Sequence, residues 1–511
     1  WIRSPDSPSD FDQCSQVSSS VTSAWKLERG DLKKSKEINV GYYYQSRLFM
    51  YDLCRTDPIT SKGKVQSDAE SRGTLKERFE WDLKDEKSKT DKGWLKLCIS
   101  LMDCLNELAN IETRMKLYLN PYMLLTDPKT ERMYPEISSM LATRRMAGSN
   151  PNPMQLAKRG ESTYVRGFYL PDEKDHVFIA PDWSQIELVL IGEFSGDPEF
   201  AKAFGQTPYQ DLHLGAAADV LGVQIEGVTE ELLKGMHKMD EKDIPPGLLI
   251  KPNGEPMNPS KAKKYWRTEV GKGSNFNYWY SGALSTVGEK LGWTSEQMWE
   301  ATEAYRTRFA AAEAWRVGVI EQAKWDGYVI LPDGHRRTRW EITHEWATMT
   351  HRMFDAYNQK GILKFGEQII KATRTRAGNQ LVNALIQGSC STLAKRSILS
   401  INEIIKADGY RAKFKIPVHD ELVYSVHKDE AIEFIRMIRH QMSNHPDIIG
   451  NLKIDCSVAL GRTFEPFDQG KLPTCLIELD EAPDILGFEE GSKMNEDQVR
   501  EAIDYLFSEA A

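Results

Sequence analysis

No apolar run in the 511-residue chain approaches the roughly 20 residues that a bilayer-crossing helix needs. No basic-then-apolar opening of the signal-peptide kind is present either, so the expectation is a protein without a membrane, in a reducing cytoplasm. The seven cysteines (Cys14, Cys54, Cys98, Cys104, Cys390, Cys456 and Cys475) include no Cys-x-x-Cys spacing, and any pairing leaves one over. That argues against structural zinc and against a disulfide framework. No fixed-period repeat marks a solenoid or propeller. Excess positive charge is also missing: 66 Lys and Arg against 75 Asp and Glu give a net −9, an unpromising sum for a polyanion binder.

The distribution of that charge says more than its sum. Residues 472–511 hold eleven acidic and two basic side chains, which accounts for the whole deficit and leaves residues 1–471 balanced. Within the balanced part lie basic clusters at Arg144-Arg145, Lys158-Arg159, Lys261-Lys263-Lys264-Arg267 and Arg336-Arg337-Arg339, suited to phosphates or merely to a solvated face. Two readings of the acidic tail stand: an interaction arm, or a C-terminal helix, since Val499, Ile503 and Leu506 recur near helical spacing.

Two acidic positions sit where strands end. Phe414, Ile416 and Val418 alternate with polar residues, as do Leu422, Tyr424 and Val426, so Val418-His419-Asp420-Glu421-Leu422 caps a β-hairpin. Strands avoid Asp and Glu, which leaves a solvated turn or a hard-cation site. The buried-strand signal Val177-Phe178-Ile179-Ala180 delivers a second carboxylate, Asp182, at its end. Phosphoryl transfer needs two such groups from separate elements to hold a pair of Mg²⁺ ions. Elsewhere, Lys272, Phe276 and Tyr280 recur every four residues and form one helical stripe. Such a stripe presents a cation, an apolar wall and a flat ring; an ordinary amphipathic helix has the same spacing.

These residues resemble family A DNA polymerases. Asp182 to Leu188 is similar to motif A, Lys272 to Tyr280 to motif B, and Val418 to Glu421 to motif C, in the family's order. The similarity extends from about Ile38 to about Gly470, through Ile38-Asn39, Gly63-Lys64, Arg145 to Arg159, Asp211-Leu212-His213, Gly327 to Arg337 and Asn383 to Gly388. It implies an α+β right-hand polymerase fold with an antiparallel palm sheet, helical fingers and a partial thumb.

The resemblance implies Asp182, Asp420 and Glu421 as catalytic carboxylates, with Glu421 in support, and two Mg²⁺ held by Asp182, Asp420 and the Trp183 carbonyl. It implies nucleotide contacts from Arg159, His213, Lys272, Phe276, Tyr280, Gln185 and Glu187, with Glu187 and Tyr280 excluding a ribose 2′-hydroxyl. Read without it, Glu187 is a solvated strand-end charge. DNA contacts are implied for Arg145, Asn152, Asn383, Gln387 and His419, with Gln155 a weaker candidate; Asn383 alternatively caps a helix. Partners are then primer–template DNA and deoxynucleoside triphosphates, with replisome proteins reached through the acidic tail.

Departures matter. The motif B arginine expected four residues before Lys272 is Thr268, and Arg267, one residue earlier, is displaced by about 100° around an α-helix. Val189 and Ser281 replace other family residues. Gly271 and Gly273 weaken the motif B helix by up to about 1 kcal/mol each, which would let it bend.

The expected organisation is an N-terminal segment at 1–37, a thumb base and palm connection at 38–130, and palm with motif A at 131–212. Fingers with an insertion follow at 213–375, palm with motif C at 376–471, and the acidic extension at 472–511. The insertion, marked by Pro245-Pro246-Gly247 and Lys251 to Gly254, points to a phage-type enzyme in a bacterial host cytoplasm. Glu296 to Lys324 is expected to be one helix. The family's paired thumb helices are expected before residue 38, where residues 1–37 are too polar for them; with Trp at position 1, a fragment or processed product is expected. No Asp-x-Glu proofreading strand is present. The alternative function is a catalytically weak DNA-binding replisome scaffold.

Overall fold

The computed structural model describes residues 43–508 except 62–63, 87–88, 140, 158–161, 208, 253, 283, 356–359, 419, 468–474, 483–485 and 490–491. The expectations for residues 1–37, Arg159 and His419 lie outside the described residues. The chain divides into two compact units, Trp1–Tyr134 and Pro135–Ala511.

In the first unit, α1 (Ala69–Asp85) and α2 (Lys89–Arg114) form an antiparallel pair. Asp68 caps α1 by accepting from the Ser71 N–H. Arg72 donates to Asn106 at 2.6 Å and Lys76 to Asp103 at 2.8 Å, which sets the register between the helices. Leu75, Phe79, Cys98, Met102 and Leu105 bury the seam together with Met50 and Tyr51. A helix pair thus lies within residues 38–130, the stretch expected to hold the thumb base and palm connection. The charge on α1, where most exposed positions are ionic, masks its narrow apolar stripe in the sequence.

The second unit is built on a five-stranded antiparallel sheet. Its strands are β1 (His176–Trp183), β2 (Ala412–Val418), β3 (Glu421–His427), β4 (Cys456–Gly461) and β5 (Ile477–Glu478), in the order β5-β4-β1-β3-β2. The hairpin expected at Val418 to Leu422 is the β2–β3 turn. Every residue of β3 is buried, so both faces of the sheet are covered. Leu422, Tyr424 and Val426 are fully buried; each such apolar side chain contributes about 1.5–3 kcal/mol. Pro181 lies inside β1, and the β1–β3 pairing skips Ala180 and Pro181 before resuming at Asp182 opposite Glu421. A proline has no N–H to give the ladder there.

Helix α9 (Ala431–Ser443) packs on the sheet through Phe434, Ile435, Ile438 and Met442, and Trp183 donates its indole N–H to the Met442 carbonyl at 2.9 Å. The 49-residue α8 (Lys360–Asp408) runs across the unit and crosses the expected 375/376 boundary unbroken. The expected helix at Glu296 to Lys324 is two, α6 (Ser295–Arg308) and α7 (Ala310–Asp326). They part at Phe309, whose backbone leaves the helical region (φ −108°, ψ 46°) so that its ring buries against Tyr305 and Phe200, at 4.8 and 5.0 Å.

The acidic tail is not a free arm. β5 extends the sheet, and α10 (Glu496–Leu506) buries Val499, Ala502, Ile503 and Leu506 in the main core, with Arg436 of α9 paired to Glu496. No helix among the described residues is long and apolar enough to cross a membrane.

Candidate nucleotide and metal site

Asp182 leaves β1 next to the β2–β3 turn that carries Asp420, and in the ladder it stands opposite Glu421. After Trp183 the chain reverses through Gln185, a non-glycine residue in the left-handed region (φ 54°, ψ 32°), and enters α3 (Ile186–Ser195). Such a backbone costs on the order of 1 kcal/mol or more. It places Glu187 in the first turn of a helix, not at a strand end, and buries it. The solvated-charge reading of Glu187 therefore fails. Arg145 pairs with one of its carboxylate oxygens and the Tyr280 hydroxyl donates to the other.

Asp182, Asp420, Glu187, Arg145, Gln185, His213, Lys272, Phe276, Tyr280 and Gln387 converge with Trp183 on one cavity of about 380 Å³. Burial pushes the Asp420 carboxyl up to about 6, with Glu187 and Asp182 adding to the rise and Arg145 opposing it. Burial works against the charge of Arg145, but Glu187 and then Asp420 outweigh it and raise its pKa. Burial, then the Glu187 carboxylate, push the Tyr280 phenol far up, so it stays protonated.

The stripe is formed as its spacing requires. Lys272 Nζ lies 5.6 Å from the Phe276 ring centroid, and the Phe276 and Tyr280 rings are 6.3 Å apart. Lys272 ends a π-helical segment, Trp266–Lys272, that leads into α5 (Gly273–Ser281). A π turn closes i to i+5, one residue wider than an α turn. The residue five before Lys272 thus takes the place that the fourth would hold, which offsets the displacement expected for Arg267. Its Nε bonds Asp211 at 2.6 Å.

Asp211 also caps α4 (Leu212–Gly222) through the His213 and Leu214 N–H groups. Burial, then Arg267 and Lys272, push the buried His213 down to about 4, against the pull of Asp211. The imidazole is neutral. The Asn275 amide, itself held by the Tyr305 hydroxyl, donates to its Nδ1 at 2.8 Å, which leaves Nε2 to carry the proton. Gly271 lies against this helix so closely that a Cβ would stand 2.0 Å from the His213 carbonyl oxygen. Its absent side chain serves close approach, whereas a Cβ at Gly273 would meet Val287 at 3.4 Å and the Thr268 carbonyl oxygen at 4.0 Å.

Other expected residues are placed elsewhere. Glu421 is buried beneath the cavity, 3.5 Å from Arg166, which is 2% exposed and donates to the Ala157 and Leu156 carbonyls. The Asn152 oxygen caps a 3₁₀ turn by accepting from Met154. Asn383 lies mid-helix in α8, so it caps nothing, and it lines a neighbouring cavity. Of the basic clusters, Arg144 pairs with Asp333 and Arg145 with Glu187, so neither is a free phosphate contact in this state. Among the described residues, the three-group cluster with metal-ligand spacing is Glu173, Asp175 and His176, at the opposite end of β1 from Asp182. Sequence reading missed Arg166 and Asn275. Asn275 had a signal in the Asn-Phe pair of motif B, but Arg166 had none.

Compared with known protein families, residues 60–239 and 256–466 match DNA polymerase family A. The chain belongs to that family.

Relatives in family A include DNA polymerase I of Bacillus subtilis, 22% identical over 347 residues, covering 68% of this chain and 32% of that one. DNA polymerase I of Streptococcus pneumoniae is 23% identical over 337 residues, covering 66% and 31%. The chain spans about a third of the length of these curated relatives. Among solved structures it resembles the POL domain of Pol1 from M. smegmatis in complex with DNA primer-template and dNTP. The TM-score is 0.59 and the identity 19%, over 89% of this chain and 66% of that one. The chain therefore has the α+β fold of a family A polymerase domain.

Proposed function

We propose that this chain is a template-directed DNA polymerase, adding deoxynucleotides to a primer 3′ end in phage DNA replication in a host cytoplasm. One observation carries the reading: carboxylates from a strand and from the neighbouring hairpin turn, Asp182 and Asp420, face the Lys272, Phe276 and Tyr280 stripe across one cavity. The phage context rests on the break in the family match at residues 240–255.

The donor set fits a hard cation. Burial, with Glu187 and Asp182 adding to it, disfavours the charged Asp420 carboxylate, which divalent charge would relieve, and Asp182, Asp420 and the Trp183 carbonyl would hold two Mg²⁺. When bound, the ions lower the pKa of the primer 3′-hydroxyl and offset charge on the leaving pyrophosphate. Glu421, neutralised by Arg166, supports the turn that presents Asp420.

Lys272 contributes fixed positive charge to the triphosphate, and His213 offers an Nε2–H donor without adding charge. Phe276 walls the sugar. Glu187, held by Tyr280 and Arg145, fills the space a 2′-hydroxyl would need. Arg145 and Gln387 supply donors for the duplex minor groove, whose acceptors are shared by all base pairs; Arg145 must first loosen from Glu187. Asn383 lies one helical turn from Gln387 on the same α8 face. Arg159 and His419 join the triphosphate and primer contacts on the strength of the motifs alone, and Asn152 holds the template strip through its turn.

Primer extension on a primed template with Mg²⁺ tests this. The intact chain should extend the primer, and Asp420→Asn should lose at least about a thousandfold in rate, several kcal/mol of transition-state stabilisation. No extension by the intact chain would leave the DNA-binding scaffold.

A further inference from the structure

The end of β1 remote from Asp182 begins in a tight turn, Glu173-Lys174-Asp175-His176, closed by the His176 N–H donating to the Glu173 carbonyl at 3.1 Å. The turn brings a carboxylate oxygen of Glu173, one of Asp175 and a ring nitrogen of His176 within 4.8 Å of one another. A tetrahedral metal ion bonded at about 2.1 Å holds its ligand atoms about 3.4 Å apart. Glu173, with its side chain 63% exposed, has the freedom to close that difference.

Two acids in a turn do not make a site by themselves. The independent observation is His176, which is 5% exposed. Its Nδ1 lies 3.1 Å from the Ser425 hydroxyl of β3, which also accepts from the Asp172 N–H at 2.9 Å. Its Nε2 lies 4.0 Å from the Glu173 carboxylate, too far for a hydrogen bond, and makes no other polar contact among the described residues. A buried imidazole nitrogen left in that state is costly. Ser425 can accept from Nδ1–H, and in that tautomer Nε2 offers its lone pair on the side of Glu173.

Asp175 is held from the same strand. His427 stands opposite His176 across β1 and β3 and is 7% exposed. Its Nδ1 accepts from the Asp429 N–H at 3.3 Å, and its Nε2 donates to Asp175 Oδ2 at 2.8 Å. A carboxylate fixed through one oxygen keeps the other for a cation. Metal-ligating imidazoles and carboxylates are oriented by outer hydrogen bonds of this kind. The neighbouring Asp172 is paired with Lys415 at 2.7 Å and stands outside the set.

We propose that Glu173, Asp175 and His176 bind a first-row transition-metal dication of the zinc class, with Ser425 and His427 orienting two of the ligands. An imidazole among the donors selects against Mg²⁺ and Ca²⁺, which take oxygen. From His176 to Asp182 is six residues of strand, roughly 20 Å. The site is therefore separate from the proposed Mg²⁺ pair, and it does not rest on the polymerase reading. Its role is structural: an ion held only by the folded turn pins the entry of β1 to β3 and stabilises the native chain.

Zn²⁺ titration calorimetry of the full chain in excess Mg²⁺, with circular-dichroism melts, tests it. The intact chain should bind one Zn²⁺ that Mg²⁺ does not displace, and its melting temperature should rise by several degrees. Glu173→Gln, a change on an exposed side chain, should weaken that ion by at least about tenfold and lose most of the rise. His427→Asn should weaken it by about 10- to 100-fold at the same stoichiometry. His176→Asn should abolish it; if the loss of that buried ring unfolds the chain, Glu173→Gln still decides. Asp182→Asn/Asp420→Asn should bind the ion undiminished. Equal Zn²⁺ affinity in the intact chain and Glu173→Gln would overturn the site, leaving the ion on unrelated histidines or cysteines. Displacement of Zn²⁺ by Mg²⁺, or its loss in Asp182→Asn/Asp420→Asn, would overturn it as well.

Discussion

The Tyr280 hydroxyl donates to the Glu187 carboxylate across 93 residues of sequence, and Arg145 holds the other oxygen of the same group. A tyrosine of α5 and a glutamate in the first turn of α3 are thus tied into one wall of the proposed nucleotide cavity. Glu187→Ala would remove that wall and leave Tyr280 and Arg145 without their shared acceptor. Ribonucleotide incorporation, measured in competition with the matching deoxynucleotide, should rise by up to about 10²-fold, the discrimination a packed wall achieves against one added hydroxyl. Tyr280→Phe keeps the ring and should raise it less. An unchanged sugar preference in Glu187→Ala would remove the gate.

Gly271 and Gly273 should part company. A methyl group at Gly271 would drive into the His213 backbone, so Gly271→Ala should cost about 1–3 kcal/mol in urea denaturation. Gly273→Ala meets ordinary van der Waals contact and should be neutral or stabilising by up to about 1 kcal/mol. Equal effects would contradict the close approach of α4 to the π turn.

Arg166 and Glu421 are buried with each other, and Phe464 lies 4.4 Å from the guanidinium. Arg166→Met leaves a buried carboxylate without its counter-charge and should lose about 3–5 kcal/mol. Arg166→Met/Glu421→Gln should recover most of that loss. Additive losses in the double-mutant cycle would show that the pair is not coupled.

His213 makes a pH prediction. Its folded-state pKa, about 4, lies below the ordinary value of about 6.5. Between those values the unfolded chain binds the proton and the folded one does not. The contribution is therefore whole above about pH 6.5 and is lost as pH falls towards 4. Relative to His213→Asn, the intact chain should lose on the order of 2–3 kcal/mol more over that window. Proton NMR should show the imidazole neutral throughout most of it. An ordinary titration near 6.5 would refute the burial beside Arg267 and Lys272.

Much of the site was legible because it is encoded locally. The β2–β3 hairpin and the Lys272, Phe276 and Tyr280 stripe each follow from a period of two or four, and Asp182 at a strand end from a short apolar run, all within about ten residues. Three motifs in order then implied the family, and the match over residues 60–239 and 256–466 shows it. The helix break at Phe309 and the pair α1–α2 were not legible: one depends on burying a ring against distant aromatics, the other on an apolar stripe thinner than the charge around it.

By itself the sequence determined which carboxylates stand at strand ends and which residues share a helix face, since side-chain periodicity along a strand or helix is a property of the local backbone. Only the tertiary structure decided which charges remain available. Glu421 is consumed by Arg166, 255 residues away, and Arg144 by Asp333, 189 away. It also decided that the segment before Lys272 winds as a π turn, which shifts Arg267 towards the face of Lys272, and that Gly271 within it packs against the His213 backbone.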